Sequence, residues 1–257
     1  MRVALTGGAS GIGAAVAANL KRLGADIVAF DIVEPRVNID QWIRVDLSDP
    51  ASILEAERQV SGSFDALINN AGLPPREGLE EMVLAVNYFG LVNFTKLMLP
   101  KLRQGGAIVN TASKAGARWR DNIAQVKALR DLADVDALPA FIESQAISPV
   151  RAYDLSKEAV IVWTITQTER LAALGLRANT VSPAAVSTDI LDDFVTAFGD
   201  RATKAMARIG RPGTPEEVAE VICFLASPQS NWLKGIDIPI DGGLAAMSLS
   251  DGLDMSI

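Results

Sequence analysis

Seven short apolar runs recur along the chain: RVALT (2–6), DIVAF (26–30), WIRV (42–45), ALIN (66–69), AIVNT (107–111), RANTV (177–181) and IDIPI (236–240). They are continuous rather than alternating and rich in Val, Ile and Leu, as strands buried on both faces of a parallel sheet must be. Between them lie segments of helical length and pattern at 12–23, 51–60, 79–103, 152–173 and 215–226. The last of these opens with Thr214-Pro215, a capping residue followed by proline in the first turn. Strand and helix in alternation predict an α/β fold, a single-domain Rossmann-type doubly wound parallel sheet of about seven strands over 1–257.

Two segments break the rhythm. Ten residues, 32–41, separate the second and third strands, too few for a full helix with its turns, so this crossover is expected to be a stub. About forty residues lie between Ser113 and Tyr153, and their helical composition, ended by Ser148-Pro149, predicts a helical insertion over about 117–148.

Composition narrows the function. A hydrophobic content of 49% over 257 residues supports one large core. The balance of 24 basic against 31 acidic residues, net −7, speaks against a nucleic-acid partner. No run approaches the roughly eighteen consecutive apolar residues of a spanning helix, and MRVALTGG lacks the apolar core of a signal peptide, so a soluble cytoplasmic protein without a membrane partner is expected. With no histidine and a lone Cys223, neither a disulfide framework nor a metal site is expected.

The segment TGGASGIG (6–13) follows the first strand and opens the first helix. Gly7, Gly11 and Gly13 would permit a tight turn and close approach of a pyrophosphate, with Ser10 and Ile12 presenting backbone at the helix N-terminus. Asp31 ends the second strand twenty residues beyond Gly11, where a carboxylate can bind adenosine ribose hydroxyls and repel a 2′-phosphate. That favours NAD over NADP, although Asp31 can also simply start a turn and Arg36 lies nearby. At later strand ends, Asp46 and Leu47 are placed to meet the adenine, and Asn70, Ala71 and Gly72 the ribose side.

Tyr153 and Lys157 stand four apart in AYDLSKEAV and would share a helix face. Burial raises the pKa of a phenol, whereas a neighbouring ammonium lowers it, so the lysine can make the tyrosine a general base. Ser113 ends the fifth strand at the same edge of the sheet, where it can bond a substrate oxygen or serve as a helix cap. Asn87, a poor interior helix residue, can hold a proton-relay water with its amide or occupy the surface.

With these residues in order, the chain resembles the short-chain dehydrogenase/reductase family over nearly its whole length. The motifs are TGxxxGxG at Thr6 to Gly13, NNAG at Asn69 to Gly72, Asn87, Ser113, YxxxK at Tyr153 to Lys157, and IDGG at 240–243. The resemblance implies NAD-dependent hydride transfer between an alcohol and a carbonyl compound. Tyr153 would be the acid/base, Ser113 would orient the substrate oxygen, Lys157 would bind the nicotinamide ribose, and Asn87 would support a relay. The family's SPG segment corresponds to Ser182-Pro183-Ala184, a departure at the glycine, and Pro183, Val186 and Thr188 would lie along the nicotinamide.

Within the family, the short crossover, VNYFG and the insertion are similar to the branch acting on 3α-hydroxysteroids, and KEAVIVW and TDILDDFVTAFG to dehydrogenases of coniferyl-type alcohols. The expected substrate is therefore an aromatic or allylic alcohol, with a hydroxysteroid, cyclic alcohol or polyol as the alternative. Ile190, Leu191, Phe194 and Phe198 would form a hydrophobic lid or an ordinary packed helix face. The insertion would cover the helices through which family members usually pair, favouring a homodimer through the C-terminal region over a tetramer. Alternatively it would line the substrate entrance, with Trp119 and Phe141 as contacts. A nucleotide-binding protein without catalysis is the contrasting class, disfavoured by the joint presence of Asn87, Ser113, Tyr153 and Lys157.

Overall fold

A computed structural model describes residues 1–253. The strands are β1 (Arg2–Thr6), β2 (Asp26–Asp31), β3 (Gln41–Arg44), β4 (Phe64–Asn69), β5 (Leu102–Thr111), β6 (Arg177–Pro183) and β7 (Asp237–Ile240). All neighbours pair in parallel, in the order β3-β2-β1-β4-β5-β6-β7. The order reverses between β1 and β4, which opens a crevice at their carboxyl ends. No helix joins β2 to β3, in keeping with the ten-residue crossover.

Helices cover both faces. On one, α1 (Gly11–Arg22) and α10 (Pro215–Ala226) pack on the sheet through Val16, Leu20, Val218 and Ile222. On the other, α2 (Pro50–Arg58), α4 (Leu91–Met98) and the end of α7 (Pro149–Ala173) pack through Ile53, Phe94, Met98 and Leu171. The predicted cap of α10 is a capping box, with Thr214 and Glu217 bonding each other's backbone N–H. Helix α7 starts earlier than the 152–173 pattern indicated, because the Ser148 hydroxyl accepts from the Arg151 N–H and Pro149 supplies the first turn.

The segment expected as one helix over 79–103 is instead composite. It comprises α3 (Glu80–Leu84), a π-helical turn (Ala85–Gly90), α4 and a 3-10 turn (Leu99–Lys101), after which β5 begins at Leu102. It is apolar and long enough to cross a membrane, but 72% of its most apolar window is buried inside the protein, so it is a core helix.

The insertion forms α5 (Ile123–Arg130) and α6 (Leu138–Ser144), whose Val126, Leu129, Leu138 and Phe141 join the cluster between α3 and α7. Phe141 is 6% exposed in that cluster, which corrects the reading of it as an entrance contact. The region after β6 holds two helices, α8 (Leu191–Phe198) and α9 (Asp200–Ile209), and α11 (Leu244–Leu253) follows β7.

Candidate active site at the carboxyl end of the sheet

A cleft of about 1870 Å³ runs along the carboxyl ends of the strands. Gly7, Ser10, Gly11, Ile12, Asp31, Asp46, Leu47, Asn70, Ala71, Gly72, Ser113, Tyr153, Lys157, Pro183, Val186 and Thr188 all line it. Gly13 lies behind this wall, where its missing side chain permits the turn to close: a Cβ there would overlap the Gly7 carbonyl oxygen. Gly7 has φ +72°, and a Cβ on it would stand 2.7 Å from the Ala71 Cα. The glycine turn is thus pressed directly onto the end of β4.

Side chains then fix the turn in place. The Thr6 hydroxyl accepts from the N–H groups of Asn70 (3.1 Å) and Ala71 (3.2 Å), and the Asn70 amide donates to the Gly7 carbonyl at 3.0 Å. Asp31 receives the Ala9 N–H on one oxygen and the Val33 N–H on the other, each at 3.0 Å. It therefore organises its turn, one of the two roles weighed from the sequence, while lying at the cleft wall. Asp46 accepts from both the N–H and the hydroxyl of Ser48, which steadies the β3 end beside Leu47. A cradle closed by glycines that tolerate no Cβ, at a helix N-terminus and with a carboxylate at the end of β2, fits a dinucleotide.

The other end of the cleft carries the polar residues of β5 and α7. Ser113 caps the 3-10 turn Lys114–Arg118 by accepting the Ala115 N–H at 3.2 Å. That turn lies flat on α7, since a Cβ on Gly116 would stand 2.8 Å from the Lys157 carbonyl carbon. Ser113 is thereby held beside Tyr153. Burial pushes the Tyr153 phenol well above its ordinary value, with the nearby Ser113 hydroxyl acting in the opposite direction.

Lys157 is 4% exposed, donates to the Thr111 carbonyl at 3.0 Å and places its Nζ 5.7 Å from the Tyr153 ring centroid. Burial pushes its ammonium down to about 8. Gly72 leaves the space that this side chain needs: a Cβ would sit 3.3 Å from Lys157 Nζ and 3.1 Å from Asn87 Oδ1.

Asn87 stands in the π-helical turn, 1% exposed, so the surface alternative is overturned. Its Oδ1 accepts the Leu73 N–H at 2.7 Å, and its Nδ2 donates to the Leu73 carbonyl at 3.0 Å and the Ser156 hydroxyl at 3.3 Å. Both amide hydrogens are taken by these partners, while Oδ1 accepts one bond and keeps a second lone pair. Asn87 ties the segment after β4 to α7, and π turns commonly occur where a helix must present such a group. Ala184 has a negative φ, so alanine in place of the family glycine introduces no left-handed strain.

Above Tyr153 lies an aromatic cover. The Phe194 and Phe198 rings stack on each other at 6.1 Å and meet the Tyr153 ring edge-on at 5.1 and 6.1 Å. Ile190 and Leu191 line the same wall. The cover is anchored by Arg76–Asp193 at 2.6 Å and Arg201–Asp154 at 2.9 Å.

Several supporting residues escaped the sequence reading. Asn69 Nδ2 donates to the Thr95 hydroxyl and to Asn110 Oδ1, and Asn110 Nδ2 donates to the Thr164 hydroxyl, all within 2.9 Å. This buried chain joins α4, β4, β5 and α7 beneath the cleft. Glu158, 1% exposed on α7, accepts from Arg151 and from Asn122 of the insertion, each at 2.6 Å. The doubled asparagine of NNAG and the charge in KEAV were the available signals.

Comparison with known proteins bears on the family and the fold. The family model described as "short chain dehydrogenase" matches residues 2–125, and that described as "Enoyl-(Acyl carrier protein) reductase" matches 137–245. The chain is 37% identical to coniferyl-alcohol dehydrogenase of Pseudomonas sp. (strain HR199 / DSM 7063), over 95% of this chain and 96% of that one. It is 29% identical to 3-alpha-hydroxysteroid dehydrogenase/carbonyl reductase of Comamonas testosteroni, over 95% and 96%. The solved structure of 3-alpha-hydroxysteroid dehydrogenase from Pseudomonas sp. B-0831 complexed with NADH superposes with a TM-score of 0.83 at 30% identity, covering 97% of this chain and 99% of that one. The chain belongs to the short-chain dehydrogenase/reductase family of oxidoreductases, whose members bind a nicotinamide cofactor.

Proposed function

We propose that the protein is an NAD-dependent dehydrogenase of aromatic or allylic alcohols of the coniferyl type. The observation that carries this reading is the wall of Phe194 and Phe198 over Tyr153, beside Ser113 and Lys157, which offers a flat apolar slot ending at a phenol and a hydroxyl. The 37% identity to a coniferyl-alcohol dehydrogenase supports it.

Gly7, Ser10, Gly11 and Ile12 would cradle the pyrophosphate, with Gly13 letting their turn close, Asp31 would take the adenosine ribose, and Asp46 and Leu47 would border the adenine. Asn70, Ala71 and Gly72 would border the ribose side, and Pro183, Val186 and Thr188 the nicotinamide. Bound there, the cofactor supplies the acceptor or donor of hydride. Ser113 donates a hydrogen bond to the substrate oxygen and holds it against Tyr153. Tyr153, as phenolate, takes the hydroxyl proton of the alcohol, and as phenol returns it to a carbonyl oxygen in the reverse direction. Burial opposes the phenolate, so nearby positive charge must favour it; Arg201 acts in that direction, and Lys157, with its Nζ 5.7 Å from the ring centroid, can add to it. Asn87 fixes the Leu73 backbone and Ser156 around that lysine.

The carboxylate of Asp31 at the end of β2 supports NAD over NADP, since it would face a 2′-phosphate with like charge. The insertion packed on α3 and α7 supports a homodimer through the C-terminal region, because that surface is already covered. Sedimentation as a tetramer joined through α3, α4 and α7 would overturn the assembly.

A panel of alcohols scored by NADH absorbance tests the substrate: coniferyl and cinnamyl alcohols, a 3α-hydroxysteroid and simple cyclic alcohols. Higher kcat/KM on the aromatic allylic alcohols is expected, and preference for the steroid would replace this reading with the hydroxysteroid one.

A further inference from the structure

Beyond Tyr153, the cleft is bordered on one side by a polar stripe of α7. Arg151, Asp154 and Glu158, spaced by three and four residues, all line it, together with Asn122 and Arg118 from the insertion and Arg201 from α9. Most of these groups already have partners. Arg151 bonds Glu158 and Gln125, Glu158 also takes Asn122, and Arg118 pairs with Asp121. Arg201 gives one nitrogen to Asp154 Oδ2 at 2.9 Å and lays its guanidinium over the Phe198 ring at 4.7 Å. The exception is Asp154 Oδ1, which is buried and has no hydrogen-bond partner. Two other buried side-chain atoms share that condition among the described residues, on Arg2 and Asn69, and neither residue lines the cleft.

A buried carboxylate oxygen without a donor is costly, and burial accordingly pushes the Asp154 carboxyl up. If the side chain served only to anchor α9, its spare oxygen would be better placed in water. It is instead shut off from water next to Tyr153 in the chain, and Arg201, which holds the other oxygen, lies over the Phe198 ring that covers Tyr153, so a substrate that displaces this cover to reach the phenol uncovers the oxygen as well. An open acceptor calls for a donor, and the chemistry it selects is a hydroxyl group on the substrate remote from the reacting one.

We propose that Asp154 is a specificity residue, whose Oδ1 accepts a hydrogen bond from a second hydroxyl of the substrate, such as a phenol on the ring of an aromatic alcohol. This rests on the reading of the site as an alcohol dehydrogenase and adds a requirement to it. A hydrogen bond to a charged, desolvated acceptor discriminates by roughly tenfold or more against an analogue lacking the hydroxyl.

The test compares 4-hydroxycinnamyl alcohol with cinnamyl alcohol, which differ only in the ring hydroxyl. Wild-type protein is expected to favour the hydroxylated alcohol in kcat/KM by roughly tenfold, mainly through KM. In Asp154→Ala that ratio falls to near one, whereas in Arg201→Met, which loosens the anchor and keeps the acceptor, the preference is retained. No preference in wild type, an unchanged ratio in Asp154→Ala, or loss of the ratio in Arg201→Met would each overturn the proposal. If neither alcohol is oxidised, the aromatic substrate reading fails on its own account, and the same ratio measured with cyclohexane-1,4-diol and cyclohexanol decides for or against Asp154.

Discussion

The Tyr153 ring is held edge-on by Phe194, centroid to centroid 5.1 Å at 66°, so the residue that would move the proton is also part of the aromatic wall that would receive the substrate. Such edge contacts add about 0.5–1.5 kcal/mol beyond the area they bury. A planar substrate that parts the two rings can replace the contact with its own. Truncating Phe194 to Ala is therefore expected to raise KM for aromatic alcohols roughly tenfold, with a smaller effect on small aliphatic alcohols. Equal losses on both substrate types would show that Phe194 only shapes the helix.

Lys157 makes stability depend on pH. Its ordinary value is 10.5 and burial lowers it to about 8, so the folded state carries a desolvated charge below pH 8. Between pH 8 and 10.5 the unfolded chain binds more protons, and the contribution of this group to stability rises with pH. Lys157→Met removes the penalty and also the donor to the Thr111 carbonyl, for a net gain of about 2 kcal/mol at pH 7. Melting temperature measured against pH should show the variant ahead of wild type at pH 7, with the lead shrinking toward pH 10.5. A variant less stable at neutral pH would contradict the buried charge.

The insertion is fastened to α7 by Glu158. Arg151→Met leaves this carboxylate, 1% exposed, without its cation, which typically costs about 3–5 kcal/mol. Adding Glu158→Gln should recover most of that loss, as followed by urea denaturation. Additive losses in the double variant would mean that the pair is not coupled.

Cofactor choice is expected to follow Asp31. Replacement by Ser removes the charge that would face a 2′-phosphate, and the ratio of NADPH to NADH affinity should rise roughly a hundredfold. Affinity for both should also fall, because the carboxylate anchors the Ala9 and Val33 N–H groups. Fluorescence titration with the two nucleotides reads both effects, and an unchanged ratio would place the selectivity elsewhere.

The strands could be read from the sequence because parallel strands buried on both faces have few alternatives to continuous Val, Ile and Leu. β1 coincides with the predicted 2–6, and α10 with 215–226. The glycine turn was legible for a similar reason: a position where a Cβ would strike a carbonyl oxygen, as at Gly13, leaves one residue type. Tertiary partners were not legible. Asn87 is held by Leu73, Asn69 by Thr95 and Asn110, and Asp154 by Arg201, at separations of 14 to 47 residues that no local period encodes. The π-helical turn likewise leaves the hydrophobic pattern of 79–103 intact while redirecting Asn87. Helix α9 is missed because its pattern follows a glycine with positive φ, Gly199, which turns the chain between two short helices.

The central claim is that Tyr153 moves the proton, and Tyr153→Phe tests it most directly, because the change removes one oxygen and keeps the ring against Phe194. NADH binding, followed by fluorescence, should remain within about twofold of wild type while turnover of the best alcohol falls by at least about a thousandfold. Turnover near the wild-type value, with binding intact, would contradict the account.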